Sequence, residues 1–136
     1  MRVESRARSR ALQALYAWDM RDDSALDRVA QQVWDDLAVS REEQVFAGFL
    51  VQILIARGPE IDKSLSAVTT NWRLSRIGAI ERSVLRLAIA ELLQGTTPPR
   101  VVIKESVRLA ERYGSEQSAR FVNGVLDAYA RQQGML

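Results

Sequence analysis

The residues of this sequence best suited to chemistry are the arginines near its start. Arg2, Arg6 and Arg10 recur at every fourth position, so on an α-helix they fall within about 80° of one another. Gln13 lies inside that arc, and Tyr16 lies about 40° beyond its edge. Guanidinium groups bind phosphate and stack on bases, a tyrosine ring can stack as well, and an amide can hydrogen-bond a base edge. The pattern predicts an RNA-binding helix face, with a merely solvated basic helix end as the equal alternative.

The opposite side of this helix is predicted to be its packing face, because small and apolar residues occupy it: Ala7, Ala11, Leu15 and Trp18. Positive charge is concentrated in this arm. The net charge of the whole chain is only +2, whereas the first ten residues hold four arginines and one glutamate. Such a concentration favours a polyanionic partner.

A second basic row with the same four-residue spacing comprises Arg100, Lys104, Arg108 and Arg112. Glu105 and Glu111 accompany it, so local ion pairs on a solvated helix face explain this row better than an RNA contact does. Whether the row contacts RNA stays open at the level of the sequence.

Catalytic and metal chemistry have few candidate groups here. The 136 residues include no cysteine and no histidine, which removes thiol catalysis, disulfides, the commonest general base and the commonest transition-metal ligand. The acidic pairs Asp22-Asp23, Asp35-Asp36 and Glu42-Glu43 are adjacent in sequence, so on a helix their members diverge by about 100° and cannot share a site. The sequence contains no glycine-rich phosphate loop. We therefore expect no enzymatic activity, no metal site and no cofactor.

The composition is typical of a soluble helical domain. Apolar residues make up 47% of the chain and charged residues 26%, with only three prolines and seven glycines, which favours helices over a turn-rich β-protein. The basic N-terminus is not followed by the apolar segment of a secretory signal, and no apolar run approaches the ~18 residues of a membrane span. We expect a single domain in the cytoplasm that does not associate with membranes.

Apolar residues recur at helical spacing along the chain, which predicts an all-α, compact bundle of about seven helices. The predicted ranges are 4–20, a second helix that reaches about residue 37, then 41–57, 60–69, 76–93, 99–113 and 116–132. The fifth of these has the widest apolar face, so we expect it to be central.

Capping and turn residues predict where the first helices begin and end. Ser24 or Asp27 is the expected N-cap of the second helix, and Ser40 with Glu43 forms the Ser-x-x-Glu pattern of a capping box. Gly58-Pro59 is expected to end the third helix. This break would divide the single domain, residues 1–136, into sub-bundles of approximately 1–58 and 59–136.

The second half of the chain carries similar signals. Ser75 and Ser115 are predicted N-caps, and Gly114 is a predicted left-handed C-cap. Asn123-Gly124 is a common hairpin pair, but its flanks do not alternate as strands would. We therefore assign it to a helix in which the glycine allows a neighbour to approach closely.

Three stretches resemble the NusB family in order and spacing: RARSRALQALYAW, WRLSRIGAIERSVLRLAIAELL and PPRVVIKESVRLAERYGSEQSARFVNGVLDAYA. The resemblance covers about residues 6–130, and IERSVLRLAIAEL and FVNGVLD are its most distinctive segments. It implies two three-helix bundles plus an extra helix, without catalytic activity. It further implies a transcription antitermination factor that pairs with NusE, a small-subunit ribosomal protein. That pair binds the single-stranded boxA element of ribosomal RNA leaders and acts in the antitermination complex of RNA polymerase.

The resemblance and the basic pattern together assign site residues. The predicted RNA contacts are Arg2, Arg6, Arg8, Arg10, Gln13, Tyr16, Gln117, Arg120 and Phe121. The predicted interface with NusE comprises Glu81 and Arg76. Gln117 stands where many relatives have an acidic residue, which removes one repulsion from phosphate.

Two other interpretations fit the same sequence. One is a NusB-like RNA-binding module of an RNA methyltransferase, although the chain contains no βαβ pattern for a cofactor. The other is a helical adaptor that binds proteins and not RNA. A homodimer that hides the RNA-binding face also stays open.

Overall fold

The computed structural model describes residues 2–21, 24–69 and 73–136, so the Asp22-Asp23 pair lies outside the described residues. All regular structure in these ranges is helical, which confirms the all-α prediction. A 3₁₀ turn at Leu74–Arg76 accompanies six α-helices: α1 (Val3–Asp19), α2 (Leu26–Asp36), α3 (Arg41–Val68), α4 (Ala79–Gln94), α5 (Pro99–Tyr113) and α6 (Glu116–Gln132). In the part of the chain that is described, no helix has the length and hydropathy needed to cross a membrane.

Helix α4 lies at the centre of the bundle, as its wide apolar face predicts. It contacts α1, α3, α5 and α6. Its buried side chains occupy most of its circumference: Ser83, Val84, Leu85, Leu87, Ala88, Ile89, Ala90, Glu91 and Leu92. A helix that is buried on nearly every side cannot rotate without exposing apolar surface. α4 is therefore the central helix against which α1, α3, α5 and α6 pack.

The predicted break between the third and fourth helices is present as a kink within α3. The backbone departs from helical angles at Arg57, directly before Gly58-Pro59, where φ is −126° and ψ is 18°. Proline cannot donate a backbone hydrogen bond and crowds the preceding turn, so it kinks a helix whose halves are both held by packing. Leu50 before the kink and Ile61 after it are both buried in the core. The division into sub-bundles 1–58 and 59–136 stays a prediction.

Serine side chains cap two helices as predicted. Ser40 at the start of α3 and Ser115 at the start of α6 each accept the backbone N–H three residues later, at 3.2 and 3.1 Å. α2 differs, because it begins after Ala25 and has no side-chain cap. The prediction of Ser24 or Asp27 as the N-cap of α2 is therefore wrong.

The predicted N-cap of α4 is also wrong. Ser75 belongs to the 3₁₀ turn, and α4 begins only after Gly78. The guanidinium group of Arg82 explains the late start, because it donates to the backbone carbonyls of Leu74 and Ile77 at 3.2 and 2.6 Å. These bonds hold the segment before α4 as a tight turn.

The left-handed C-cap glycine is Gly95 and not Gly114. Gly95, after α4, has φ 76°, whereas Gly114, after α5, has φ −115° and ψ −107°. A Cβ at residue 114 would lie 2.6 Å from Ser118 Oγ and 2.8 Å from the backbone oxygen of Ala110, so the tight turn between α5 and α6 requires this glycine. Asn123-Gly124 lies inside α6 as predicted. A Cβ on Gly124 would meet no described atom within 4 Å, so the prediction of a close neighbour there is wrong.

Replacing Leu85 by alanine tests the central position of α4. Leu85 is fully buried, so its truncation should lower the free energy of unfolding by about 2–5 kcal/mol. Urea denaturation followed by circular dichroism measures this loss. Val101→Ala is the control, because Val101 on α5 is 43% exposed and its truncation should cost less than about 1 kcal/mol. Equal losses for the two variants would contradict the placement of Leu85.

Candidate nucleic-acid interface

Arg6, Arg10 and Gln13 on α1 lie beside Glu43 in the first turn of α3, and these four residues are called the α1 patch below. Arg10 donates from Nε to Glu43 Oε1 at 3.4 Å and from Nη1 to Gln13 Oε1 at 3.2 Å. Arg6 Nε lies 3.7 Å from Glu43 Oε2. The Arg6 and Arg10 side chains are 42% and 30% exposed. Part of the predicted RNA-binding face is therefore assembled at the surface, with a carboxylate of the protein at its edge.

Glu43 is a well-stabilised anion in this patch. Ser40 Oγ donates to Glu43 Oε2 at 2.7 Å. This hydrogen bond is the main reason why the pKa of Glu43 is lowered, and Arg10 and Arg6 lower it further against the opposing effect of burial. A carboxylate in the first turn of a helix is also favoured by the helix dipole. Because its folded-state pKa is depressed, the stabilisation by Glu43 is present at neutral pH and is lost as the pH falls through that pKa.

Arg2 and Tyr16 extend the exposed side of α1 in both directions from the α1 patch. Arg2 precedes the first turn of α1 and is exposed. Tyr16 lies near the end of the helix and is 38% exposed. An exposed phenol ring can stack with an unpaired base. Arg2 and Tyr16 are thus both exposed, as a contact with RNA requires.

Arg8 was predicted to contact RNA, but the structure buries it. Its guanidinium group is therefore not accessible to RNA in this structure. Its Nε and Nη2 atoms donate to the two carboxylate oxygens of Glu91 on α4, at 2.8 and 2.6 Å. Glu105 on α5 lies 3.7 Å from Nη1, and the guanidinium carbon lies 5.3 Å from the centre of the Phe46 ring. Burial disfavours the charge, but the hydrogen bonds and charge of Glu91 outweigh it, and the pKa of Arg8 is raised.

The positions of Arg8 and Glu91 on their helices already indicate that both side chains are buried. Arg8 falls about 20° from Leu15 and about 60° from Ala11 on the wheel, so it belongs to the packing face and not to the exposed face. Glu91 is similarly a lone carboxylate within the apolar sequence LAIAELL. Two opposite charges on two apolar faces indicate a buried ion pair, because an unpaired buried charge is very costly.

A second set of ion pairs fastens the other end of α1 to α4, and the sequence predictions missed it. Asp19 accepts from Arg82 Nη2 at 2.5 Å and from Arg86 Nη1 at 3.1 Å. Arg86 also donates to Asp62 on α3, at 2.8 and 3.0 Å. Burial opposes its charge, but Asp62 and Asp19 together raise the pKa of Arg86. α1 is thus tied to α4 by carboxylate–guanidinium pairs near both of its ends.

The predicted RNA contacts Gln117 and Phe121 share one surface pocket with the predicted partner residues Glu81 and Arg76. The pocket measures about 300 Å³ and lies where α4 and α6 begin. Ser118 Oγ donates to Glu81 Oε2 at 2.8 Å and joins the first turns of the two helices. The structure therefore brings together residues that the sequence assigned to two different roles.

The pocket and the α1 patch are separate surfaces. Glu81 lines the pocket, whereas Glu91 holds Arg8 in the same part of α1 as the patch. Glu81 and Glu91 lie in one helix, about 15 Å apart along its axis. Arg120 on α6 is exposed and does not line the pocket. The residues that line the pocket and the residues of the α1 patch therefore do not overlap.

The second basic row is solvated, and two of its four residues, Arg108 and Arg112, have local partners. Lys104 and Arg112 on α5 are exposed. Arg108 donates to Glu105 at 3.1 Å, and the Arg112 guanidinium carbon lies 5.3 Å from the Tyr113 ring centre. These contacts agree with the interpretation that the sequence favours. A role of this row in RNA binding stays untested.

The geometry defines a class of protein: an all-α bundle with paired arginines inside it and a cluster of arginines at its surface. Among the described residues, no group of three His, Cys, Asp or Glu side chains is placed to hold a metal ion. The sequence model of the NusB family matches residues 5–131. The chain therefore belongs to the NusB family.

Known relatives cover nearly the whole chain. The transcription antitermination protein NusB of Anaeromyxobacter dehalogenans is 44% identical over 127 residues, which is 93% of this chain and 89% of the relative. The NusB of Solibacter usitatus is 36% identical, over 97% of this chain and 91% of its own. Among solved structures, T. maritima NusB is 32% identical with a TM-score of 0.88, over 95% and 91% of the two chains. A structure of the antitermination factors NusB and NusE in complex with dsRNA is 30% identical with a TM-score of 0.88, over 97% and 98%.

Replacing Glu91 by alanine tests whether the Arg8–Glu91 pair is structural. Arg8 would keep its buried charge without its main partner, so the free energy of unfolding should fall by about 3–5 kcal/mol in urea denaturation. Replacing both residues, as Arg8→Met with Glu91→Leu, should recover most of that loss. The control is Asp127→Ala, which breaks an exposed pair with Arg131 and should cost about 0–1 kcal/mol. A loss for Glu91→Ala no larger than that of the control would contradict the structural role.

Proposed function

We propose that this chain is a transcription antitermination factor that binds the boxA RNA of ribosomal RNA leaders together with NusE. The observation that carries the proposal is that a chain of the NusB family presents Arg6 and Arg10 side by side at the surface of α1. Its similarity to NusB in the complex with NusE and dsRNA supports both partners. We propose further that the pair acts within the antitermination complex of RNA polymerase, in the cytoplasm.

The proposed RNA contacts fall on two surfaces. Arg6 and Arg10 would bind phosphate, and Gln13 would hydrogen-bond a base edge, because amide and guanidinium groups are the usual partners of an unpaired RNA strand. The other proposed contacts are Arg2, Tyr16, Gln117, Arg120 and Phe121. Arg8 contributes indirectly, since its bonds to Glu91 hold α1 against α4.

The proposed NusE interface is the edge of the pocket at the start of α4, where Arg76 and Glu81 lie. Glu81 already accepts a hydrogen bond from Ser118 at 2.8 Å, so its carboxylate is held in place before a partner arrives. A positioned charge improves the specificity of an interface more than its affinity. We assign no catalytic activity to the chain, because NusB relatives are named as antitermination proteins.

Replacing Arg6 and Arg10 together by alanine should weaken RNA binding roughly tenfold or more, since each variant position gives up a charged hydrogen bond to phosphate. A gel-shift assay between 50 and 200 mM salt measures the affinity for boxA RNA and for a scrambled RNA, each with and without NusE. The slope of log affinity against log salt should become shallower by about 0.7 for each phosphate that the variant no longer neutralises. The matched control is Arg131→Ala, since Arg131 is an exposed arginine on α6.

Three results would contradict the proposal. The double variant could bind boxA RNA as tightly as the parent, which would show that the α1 patch is not part of the RNA interface. The parent could bind boxA and scrambled RNA equally with NusE present, which would show that it does not recognise the boxA sequence. The parent could also bind NusE but no RNA at any salt concentration, which is the result that a protein-binding adaptor predicts.

A further inference from the structure

Glu43 is the carboxylate that Arg6 and Arg10 share at the edge of the α1 patch, and it belongs to another helix. It approaches Arg10 Nε at 3.4 Å and Arg6 Nε at 3.7 Å. Both approaches are made by Nε, the atom of the guanidinium group nearest to the side-chain stem. Arg10 Nη1 is held separately by Gln13. Glu43 therefore contacts both arginines at the base of their guanidinium groups.

Glu43 is itself held in one position by the start of α3. Its backbone N–H donates to Ser40 Oγ at 3.2 Å, and the same hydroxyl donates to Glu43 Oε2 at 2.7 Å. Its side chain is only 9% exposed. A carboxylate fixed in this way provides a firm contact for the two longer and more flexible arginine side chains.

The burial of Glu43 decides whether it would help or hinder an incoming phosphate. An exposed carboxylate would repel phosphate, but this one is covered and lies in the first turn of a helix, whose dipole offsets its charge. An arginine side chain that is free in solution loses much rotamer freedom when it binds. Ordering Arg6 and Arg10 in advance reduces that loss, so the positioning effect should exceed the repulsion.

We infer that Glu43 is a positioning residue for RNA binding, which holds Arg6 and Arg10 in the orientation that receives phosphate. The inference rests on the proposed function, since it assigns a role within the same site. It assigns Glu43 an indirect role, because the residue would act through the arginines and would not contact RNA.

The test is the affinity of Glu43→Ala for boxA RNA, measured with NusE at fixed salt. The variant should bind about threefold to tenfold more weakly than the parent, because both arginines then lose a contact that orders them before binding. Glu43→Gln keeps an acceptor oxygen and should lie between the two. Glu42→Ala is the matched control, because Glu42 is an exposed carboxylate in the same helical turn. It should bind as tightly as the parent or slightly more tightly.

A second variant background distinguishes the positioning role of Glu43 from a purely structural one. In the chain that carries Arg6→Ala and Arg10→Ala, replacing Glu43 by alanine should have no further effect on RNA affinity, whereas a general loss of fold would weaken binding there too. Tighter binding by Glu43→Ala than by the parent would overturn the inference and identify Glu43 as a competitor of phosphate. An unchanged affinity would overturn it as well. Failure of the parent itself to bind boxA RNA would instead reject the proposed function.

Discussion

The buried pair between Arg8 and Glu91 is the interaction on which the other features of the α1 surface depend. Both side chains lie in the core, joined by hydrogen bonds of 2.8 and 2.6 Å. Two buried charges are tolerated only when their geometry satisfies both, so this contact allows few rotations of α1 about its axis. With Arg8 directed at α4, the residues on the other side of the helix must face outward. The exposure of Arg6 and Arg10 is thus a consequence of where Arg8 is buried.

The arginines that pair with a carboxylate of another helix fall into two groups. Those that meet Glu91, Asp19 or Asp62 are largely buried themselves and hold helices together, and their partial exclusion from solvent strengthens these pairs. Arg6 and Arg10 meet Glu43 at longer distances and keep 42% and 30% of their side-chain surface exposed. Pairs of this kind are weak in water, and the exposed parts of both guanidinium groups stay available to a phosphate group. Neighbouring arginines in one helix can therefore serve stability and binding at once.

The periodicity of the sequence was sufficient to predict most helices, the central position of α4 and the serine caps of α3 and α6, because these depend on local pattern and apolar burial. It also located the break at Gly58-Pro59, which the structure has as a kink at Arg57, but it did not show that the core holds the segments on both sides of the kink. Arg8 was included among the RNA contacts because of the family resemblance, although its place on the packing face of the helical wheel indicates burial. The wheel does not identify its partner Glu91, which lies 83 residues away. The pocket shared by Gln117 and Glu81 likewise depends on how two helices begin side by side.

In the proposed function, the arginines of α1 are divided between the protein interior and the RNA. An NMR titration of boxA RNA that follows the Nε–H signals of Arg6, Arg8 and Arg10, with each signal assigned from a single Arg→Lys variant, tests this division. The Arg6 and Arg10 signals should shift as RNA is added, while the Arg8 signal should keep its position. A shift of the Arg8 signal as large as that of Arg10, or unchanged Arg6 and Arg10 signals at saturating RNA, would contradict it.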